Sequence, residues 1–465
     1  MIGELGDQGE LFQCTNMEAL VPAGHELRRL NAVIDDRFVC EVVGHLYSDI
    51  GRPAVHPSVV LRMWILQHRY GLSERRLCEE VQMHAGYRWF CGLTFNDPVP
   101  DQSTLVKLRT RMWAGTNIWE IVLRMTVAWC EKAGLPPAEL MAVDGTQIRA
   151  NASLSSMVER PPELSIEAGE DASADAGATG ADLQIEAGGR PRGPRASGDA
   201  RFRHEKFSNA THTSTTDPDA RLARKGRGME THPRFLGHYM ADVRTGVIYG
   251  AMATCATGFG ERDAALALMD KLPHKPRELV ADAGYRGGAF LADVMSRGVQ
   301  PLVPLGDGPL EAIPEFTRPA GTPEAEAKRQ RARVAAAARN ATRLATRRRG
   351  ARTQRQRIRI EHLFAEAKQQ HGLSRARGRG LIRVDQQVKL TAAVQNLKRL
   401  LNMRPQRATG LAAGCVSAEQ ATLHAFSRIY GAKRSHFRRP ISRYGRHSRY
   451  CPGVNSKTTP FSSGL

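Results

Sequence analysis

LMAVDGTQIRA, residues 140–150, opens with four apolar positions, breaks at Asp144-Gly145, and then alternates, as a buried strand that ends in a carboxylate would. Asp-Gly is also the commonest two-residue hairpin turn, so the pair has a purely local reading. Outward along the chain, HYMADVRTGVIYGAMATCA (238–256) reads as a hairpin turning at Arg244-Thr245-Gly246. ERDAALALMDKL (261–272) has helical periodicity, and ELVADAGYRGG (278–288) is a second short apolar run ending at an acid, Asp282. A helix near Phe290–Met295 and a strand QPLVPL (300–305) follow. Strand, two strands, helix, strand, helix, strand predicts an α/β fold, a mixed sheet flanked by helices.

The flanks differ in character. Residues 1–115 read as an all-helical N-terminal domain, and 116–155 as a linking helix with the first strand of the sheet. In STLVKLRTRMW (103–113), Ser103 is the expected N-cap, and Lys107, Arg109 and Arg111 put positive charge along a short helix. Two readings fit this module: docking on DNA phosphates, or a bundle with a solvated basic face. Residues 156–230 are expected to form a flexible insertion, because SIEAGEDASADAGATGADLQIEAGG (165–189) is too poor in apolar side chains to offset its ordering entropy. The rest of the sheet is assigned to 231–310. The Ala- and Arg-rich 311–355 reads as one long exposed helix, 356–405 as two core helices, and 406–465 as a basic tail, poorly ordered without a partner.

Lys and Arg number 67 against 47 Asp and Glu, a formal charge of +20 over 465 residues. A compact body with that excess repels itself unless a polyanion neutralises it, which points to nucleic acid. The start lacks the basic and apolar regions of a signal peptide, and no apolar run approaches the roughly 20 residues of a membrane helix. Eight scattered cysteines show no zinc spacing and suit a reduced compartment. A cytoplasmic, nucleoid-associated protein with no membrane contact is expected.

RIRIEHLFAEAKQQ (357–370) supplies a third acid. Ile360, Leu363, Phe364 and Ala367 form its apolar stripe, and Arg357, Glu361 and Lys368 a column on one face. That column could equally be a surface ion-pair ladder, and Glu366 is the second choice for the acid. Two strand-end aspartates with a helix glutamate suit phosphodiester cleavage. Hard carboxylate oxygens would hold two Mg²⁺ ions, with Mn²⁺ a substitute, and Arg357 and Lys368 would hold the phosphate. No nucleophilic triad is readable with comparable specificity.

Val143-Asp144-Gly145-Thr146 and Asp282-Ala283-Gly284-Tyr285 resemble the first- and second-acid motifs of DDE transposases of bacterial insertion sequences, in the large IS-five-like group. Asn151 in RANAS, TDPDA (216–220) and AAVQNLKRLL (392–401) are similar to wording of that group. So are HPSVVLRMWILQHRYGLSERRL (56–77) and DQSTLVKLRTRM (101–112), which resemble its helical N-terminal domain. Arg357, Glu361 and Lys368 match a Tyr-x2-Arg-x3-Glu-x6-Lys signature, with Gln354 where tyrosine would stand. The resemblance implies an RNase H-like catalytic fold, and Asp144, Asp282 and Glu361 as catalytic metal ligands. It further implies Mg²⁺ dependence and cleavage and strand transfer on double-stranded DNA, at terminal inverted repeats and target. Synapsis of two ends favours a dimer. A transposase-derived DNA binder without catalysis is the alternative, and a nuclease of the same fold without strand transfer a third reading.

Overall fold

The helices come first because the apolar positions up to residue 132 recur at three- and four-residue spacing. They are α1 (Met17–Leu20), α2 (Glu26–Val33), α3 (Arg37–Val43), α4 (Pro57–Arg69), α5 (Glu74–Met83), α6 (Ala85–Cys91), α7 (Gln102–Lys107) and α8 (Ile118–Lys132). The computed structural model describes residues 16–48, 50, 54–160, 208–224, 230–257, 260–313 and 323–402. Trp64, on α4, meets the rings of Trp113 and Trp119 edge-on, each at 5.1 Å between centroids, which locks α4 to α8. The N-cap of α7 is Asp101, not the expected Ser103. The Asp101 carboxylate accepts from Thr104 N–H and from the Ser103 hydroxyl, so the stronger, charged acceptor takes the position.

The sheet is built from β1 (Leu140–Arg149) outward. After β2 (Met157–Glu159), β3 (His212–Ser214) and β4 (Arg221–Ala223) come the hairpin strands β5 (His232–Asp242) and β6 (Ile248–Cys255). Gly246, at φ +75°, closes the hairpin where Thr245 N–H binds Asp242, as expected for this turn. Helix α9 (Gly260–Asp270), β7 (Glu278–Val280), α10 (Gly288–Ser296) and β8 (Gln300–Leu302) complete the alternating part. The strands run β4-β5-β1-β7-β8, with β6 also paired to β5. β1, β5 and β6 are antiparallel, while β7 and β8 join parallel to β1. This is the RNase H-like mixed sheet expected, with helices on both faces.

Helices α11 (Pro323–Gln356), α12 (Ile358–Gln370) and α13 (Leu381–Asn402) follow. The long helix is not simply exposed, as its composition suggested. It lies on α10 and β8, burying Ala336, Ala338 and Thr342, and Arg339, Arg347 and Arg349 pair with Glu311, Asp307 and Glu278. The acids missing from its own sequence come from the sheet domain and the chain that leads to it. α13 runs behind the sheet, packing on α8, β6 and α4, so it ties the N-terminal helices to the sheet. Asn396, fully buried on it, binds both Ile248 N–H and Ile248 C=O, which fixes its register against β6.

Parts of the segment 156–230, expected to be flexible, are built into the fold. β2 pairs with β3 and β4 with β5, and the TDPDA run caps α13: Asp217 accepts from Gly380 N–H at 3.0 Å and Asp219 from Leu381 N–H at 2.9 Å. Residues 161–207 and the 406–465 tail lie outside the described residues. Asp219→Ala should lower stability by about 1 kcal/mol, the usual worth of a side-chain N-cap, read as a small fall in thermal midpoint. No change would remove Asp219 from the cap.

Candidate active site

Parallel pairing of β1 with β7 ends at Ala142–Val280. Two residues beyond that last pair stand Asp144, midway along β1, and Asp282, just past the end of β7, close enough for the charge of Asp282 to reach Asp144. Asp144-Gly145 is therefore no hairpin turn, since β1 runs through it unbroken to Arg149. Asp144 Oδ1 accepts from Gly145 N–H at 2.8 Å, and Asp282 Oδ1 from Gly284 N–H at 2.9 Å, where it caps the turn Ala283–Tyr285.

Asp144 feels the charge of Asp282. Burial pushes the Asp144 carboxyl up, more than the Gly145 bond lowers it, and the charge of Asp282 adds to the rise, to about 6. An acid whose folded value is raised stabilises the fold fully only below its unfolded value near 4, and that contribution is lost as pH rises through about 6. Metal-free Asp144→Asn protein should therefore have a higher thermal midpoint than the parent at neutral pH, the gap closing by about pH 4. A gap independent of pH would show that Asp144 is not the strained group.

Glu361 stands in the first turn of α12, half exposed, and reaches Asp144 through one side chain. Arg357, at the junction of α11 and α12, donates from Nη2 to Glu361 at 2.8 Å and lies with Nη1 3.8 Å from Asp144. The helix is held over β1 by Phe364, which stacks on Tyr239, the cross-strand partner of Asp144, at 4.4 Å. Lys368 lies in the last turn, about 10 Å along the axis from Glu361. Gln354, in place of the signature tyrosine, donates to Leu302 C=O and anchors α11 to β8.

A fourth acid, not singled out from the sequence, shares the location. Glu261 opens α9, and its carboxyl is pushed up by burial and by Asp282. Arg262 donates to Gly284 C=O at 2.9 Å, clamping the start of α9 to the Asp282 turn. Glu261 and His238 Nδ1 wall the space beside Gly145, where a Cβ would meet them at 3.3 and 3.2 Å. Both His238 Nδ1 and the Tyr285 hydroxyl are buried without a hydrogen-bond partner among the described residues. Burial pushes Tyr285 well up, and Glu261, Asp144 and Asp282 push it further. A first-turn glutamate is ordinarily read as a helix-dipole acid, and only the fold distinguishes this one.

The remaining candidates separate. Lys107 and Arg111 are exposed. Arg109 departs from its expected phosphate contact: it is largely buried and ion-paired with Glu74, so it fastens the α7 turn to α5. Glu366, the second choice for the third acid, is tied up by Lys398, Arg399 and Gln395 on α13 and serves as a structural ion centre.

The chain matches two family descriptions, Transposase domain (DUF772) over residues 15–111 and Transposase DDE domain over 209–397. The chain belongs to the DDE transposases of insertion sequences. No solved structure matches it. The DDE match spans β3 to α13 and takes in Asp282 and Glu361, and the other match ends with the α7 turn. Asp144 lies between the two. Among the transposase's described residues, no three His, Cys, Asp or Glu side chains sit close enough to grip an ion as they stand, and none of its helices is long and apolar enough to cross a membrane. The donor chemistry nevertheless suits a hard divalent cation. Burial and the charges of Asp282 and Glu261 push the Asp144 carboxyl up, burial and Asp282 push Glu261 up, and Arg357 supplies a counter-charge between Asp144 and Glu361.

Proposed function

We propose that this transposase cleaves and joins DNA at the terminal inverted repeats of its element, with Asp144, Asp282 and Glu361 as the acids that hold Mg²⁺. What supports the reading is that β1 and β7 run parallel up to two residues before Asp144 and Asp282, and that burial and the charge of Asp282 push Asp144 up to about 6. Bound Mg²⁺ would polarise the scissile phosphate and lower the pKa of a coordinated water or 3′-hydroxyl. The chain's part is to hold oxygens rigidly. The Gly145 and Gly284 N–H groups orient Asp144 and Asp282, and Phe364 sets the height of α12 and so of Glu361. Arg357 is placed to shift from the acids to a phosphate oxygen, a bidentate exchange that guanidinium geometry favours. Exposed Lys107 and Arg111 would add backbone contacts, and pairing of two ends would bring a second copy.

Incubation of the purified protein with Mg²⁺ or Mn²⁺ and a duplex bearing the element's ends tests this. Nicked strands followed by joined product are expected. A mobility shift without any cutting would leave a transposase-derived DNA binder, and cutting without joining a nuclease.

A further inference from the structure

At the far end of β1 from the acids, four arginines stand in one cross-strand row. Arg149 is the register partner of Arg234 on β5, and Arg234 that of Arg221 on β4. On the other edge, Arg149 forms an isolated parallel bridge with Arg375, its N–H and C=O bound to Ser374 and Ala376. Directly paired residues project to the same side, about 5 Å apart, so the row Arg375–Arg149–Arg234–Arg221 spans about 15 Å.

Like charges set opposite one another destabilise a sheet. None of the four forms an ion pair with a carboxylate among the described residues. Their hydrogen bonds go to neutral acceptors: Arg221 to Pro218 and Ala220 C=O, Arg234 to Ala223 C=O, and Arg375 to Asn151 Oδ1. The neighbouring acids Asp217 and Asp219 are committed to capping α13. Arg149 and Arg375, with Arg379, also line an open concavity of about 520 Å³ whose other walls are, apart from Ala152, small hydroxyl and amide side chains. Four guanidiniums held in register, two of them lining a polar hollow and none paired with a carboxylate among the described residues, suit an anion with repeating charge.

We propose that this arginine row is a docking site for the sugar-phosphate backbone of duplex DNA, separate from the acids. Its length is of the order of two to three successive phosphates of one strand. It lies five residues along β1 from Asp144, about 17 Å, or half a turn of duplex. Opposite parity along the strand puts it on the other face from the Asp144 side chain. The row therefore grips backbone that is not being cut, and Asn151 serves to hold Arg375 in place.

The test is binding of a mixed-sequence duplex in metal-free buffer across a salt series, so its outcome does not depend on what the acids do. Arg149→Gln with Arg375→Gln should flatten the slope of log Kobs against log salt by about 1.8, two phosphate contacts' worth, with the thermal midpoint unchanged or raised. Arg149→Lys with Arg375→Lys should keep most of the slope. An unchanged slope in the glutamine variant overturns the proposal. So does equal loss in both variants with a lowered thermal midpoint, which would make the row structural.

Discussion

Asp144→Asn and Asp282→Asn are each expected to reduce metal-dependent DNA cleavage by roughly 10³-fold or more while duplex binding persists. An amide keeps the shape of the carboxyl and the bond from Gly145 or Gly284 but removes the anionic oxygen a hard cation needs. Each acid stands two residues past the last pair of one short ladder and is held by its own backbone N–H, so neither loss can be made good by the other. Binding should even tighten slightly, because each change removes a negative charge from a DNA-facing site. Gel analysis of nicked product beside a mobility shift separates the effects, and wild-type cleavage by either variant withdraws that residue from the site. The same assay on Glu361→Gln against Glu261→Gln decides which glutamate serves as the third acid. Glu361 has the family spacing, and Glu261 has the burial and the electrostatic coupling to Asp282.

Glu366→Ala should be the most destabilising single change at a polar site in the core behind the sheet, by about 3 kcal/mol. Burial alone would push the Glu366 carboxyl up, but the nearby His371 ring, hydrogen bonds from Lys398 and Gln395 and the charge of Arg399 hold it well below the ordinary carboxylate range. Removing it strands Lys398 and Arg399, each with less than a fifth of its side chain exposed, without their counter-charge. A depressed acid stabilises the fold fully above its unfolded value, and that contribution is lost as pH falls through the folded one. The deficit of the variant, measured by denaturant unfolding, should therefore be constant at neutral pH and shrink in strong acid. A variant as stable as the parent at neutral pH would mean the network is solvated and worth little. DNA cleavage at low temperature should survive this change, which distinguishes it from loss of an active-site acid.

Much of this architecture could be read from residues alone, for local reasons. A buried run ending in Asp-Gly and another ending in Asp-Ala-Gly carry their own period and punctuation, as does the Thr245-Gly246 turn. Arg357 and Glu361 pair as their four-residue spacing requires. What stayed hidden depends on partners distant in sequence. Glu261 looks like any first-turn acid until Arg262 is seen clamped to Gly284. Arg109 looked solvent-facing because Glu74 is on another helix. The charged face of α11 lacked acids only locally, and the arginine row needs the register of residues 149, 221, 234 and 375, which no short window contains. The segment 156–230 was read too widely because short strands of three residues cannot outweigh a low-complexity neighbour in any compositional window.

The parallel ladder that aligns the two aspartates is only three residue pairs long. Such a seam contributes little to holding the sheet together, yet it decides which way each carboxyl looks. A one-residue slip between the strands would set Val143 or Gly145 level with Asp282 and leave the two carboxyls on opposite faces, since β1 itself is fixed by its longer pairing with β5. A single inserted or deleted codon near 139 or 277 could thus yield a protein that folds, is recovered in good quantity and grips its substrate, but is chemically silent. Copies of a mobile element that fail in this manner would be invisible to any screen for expression.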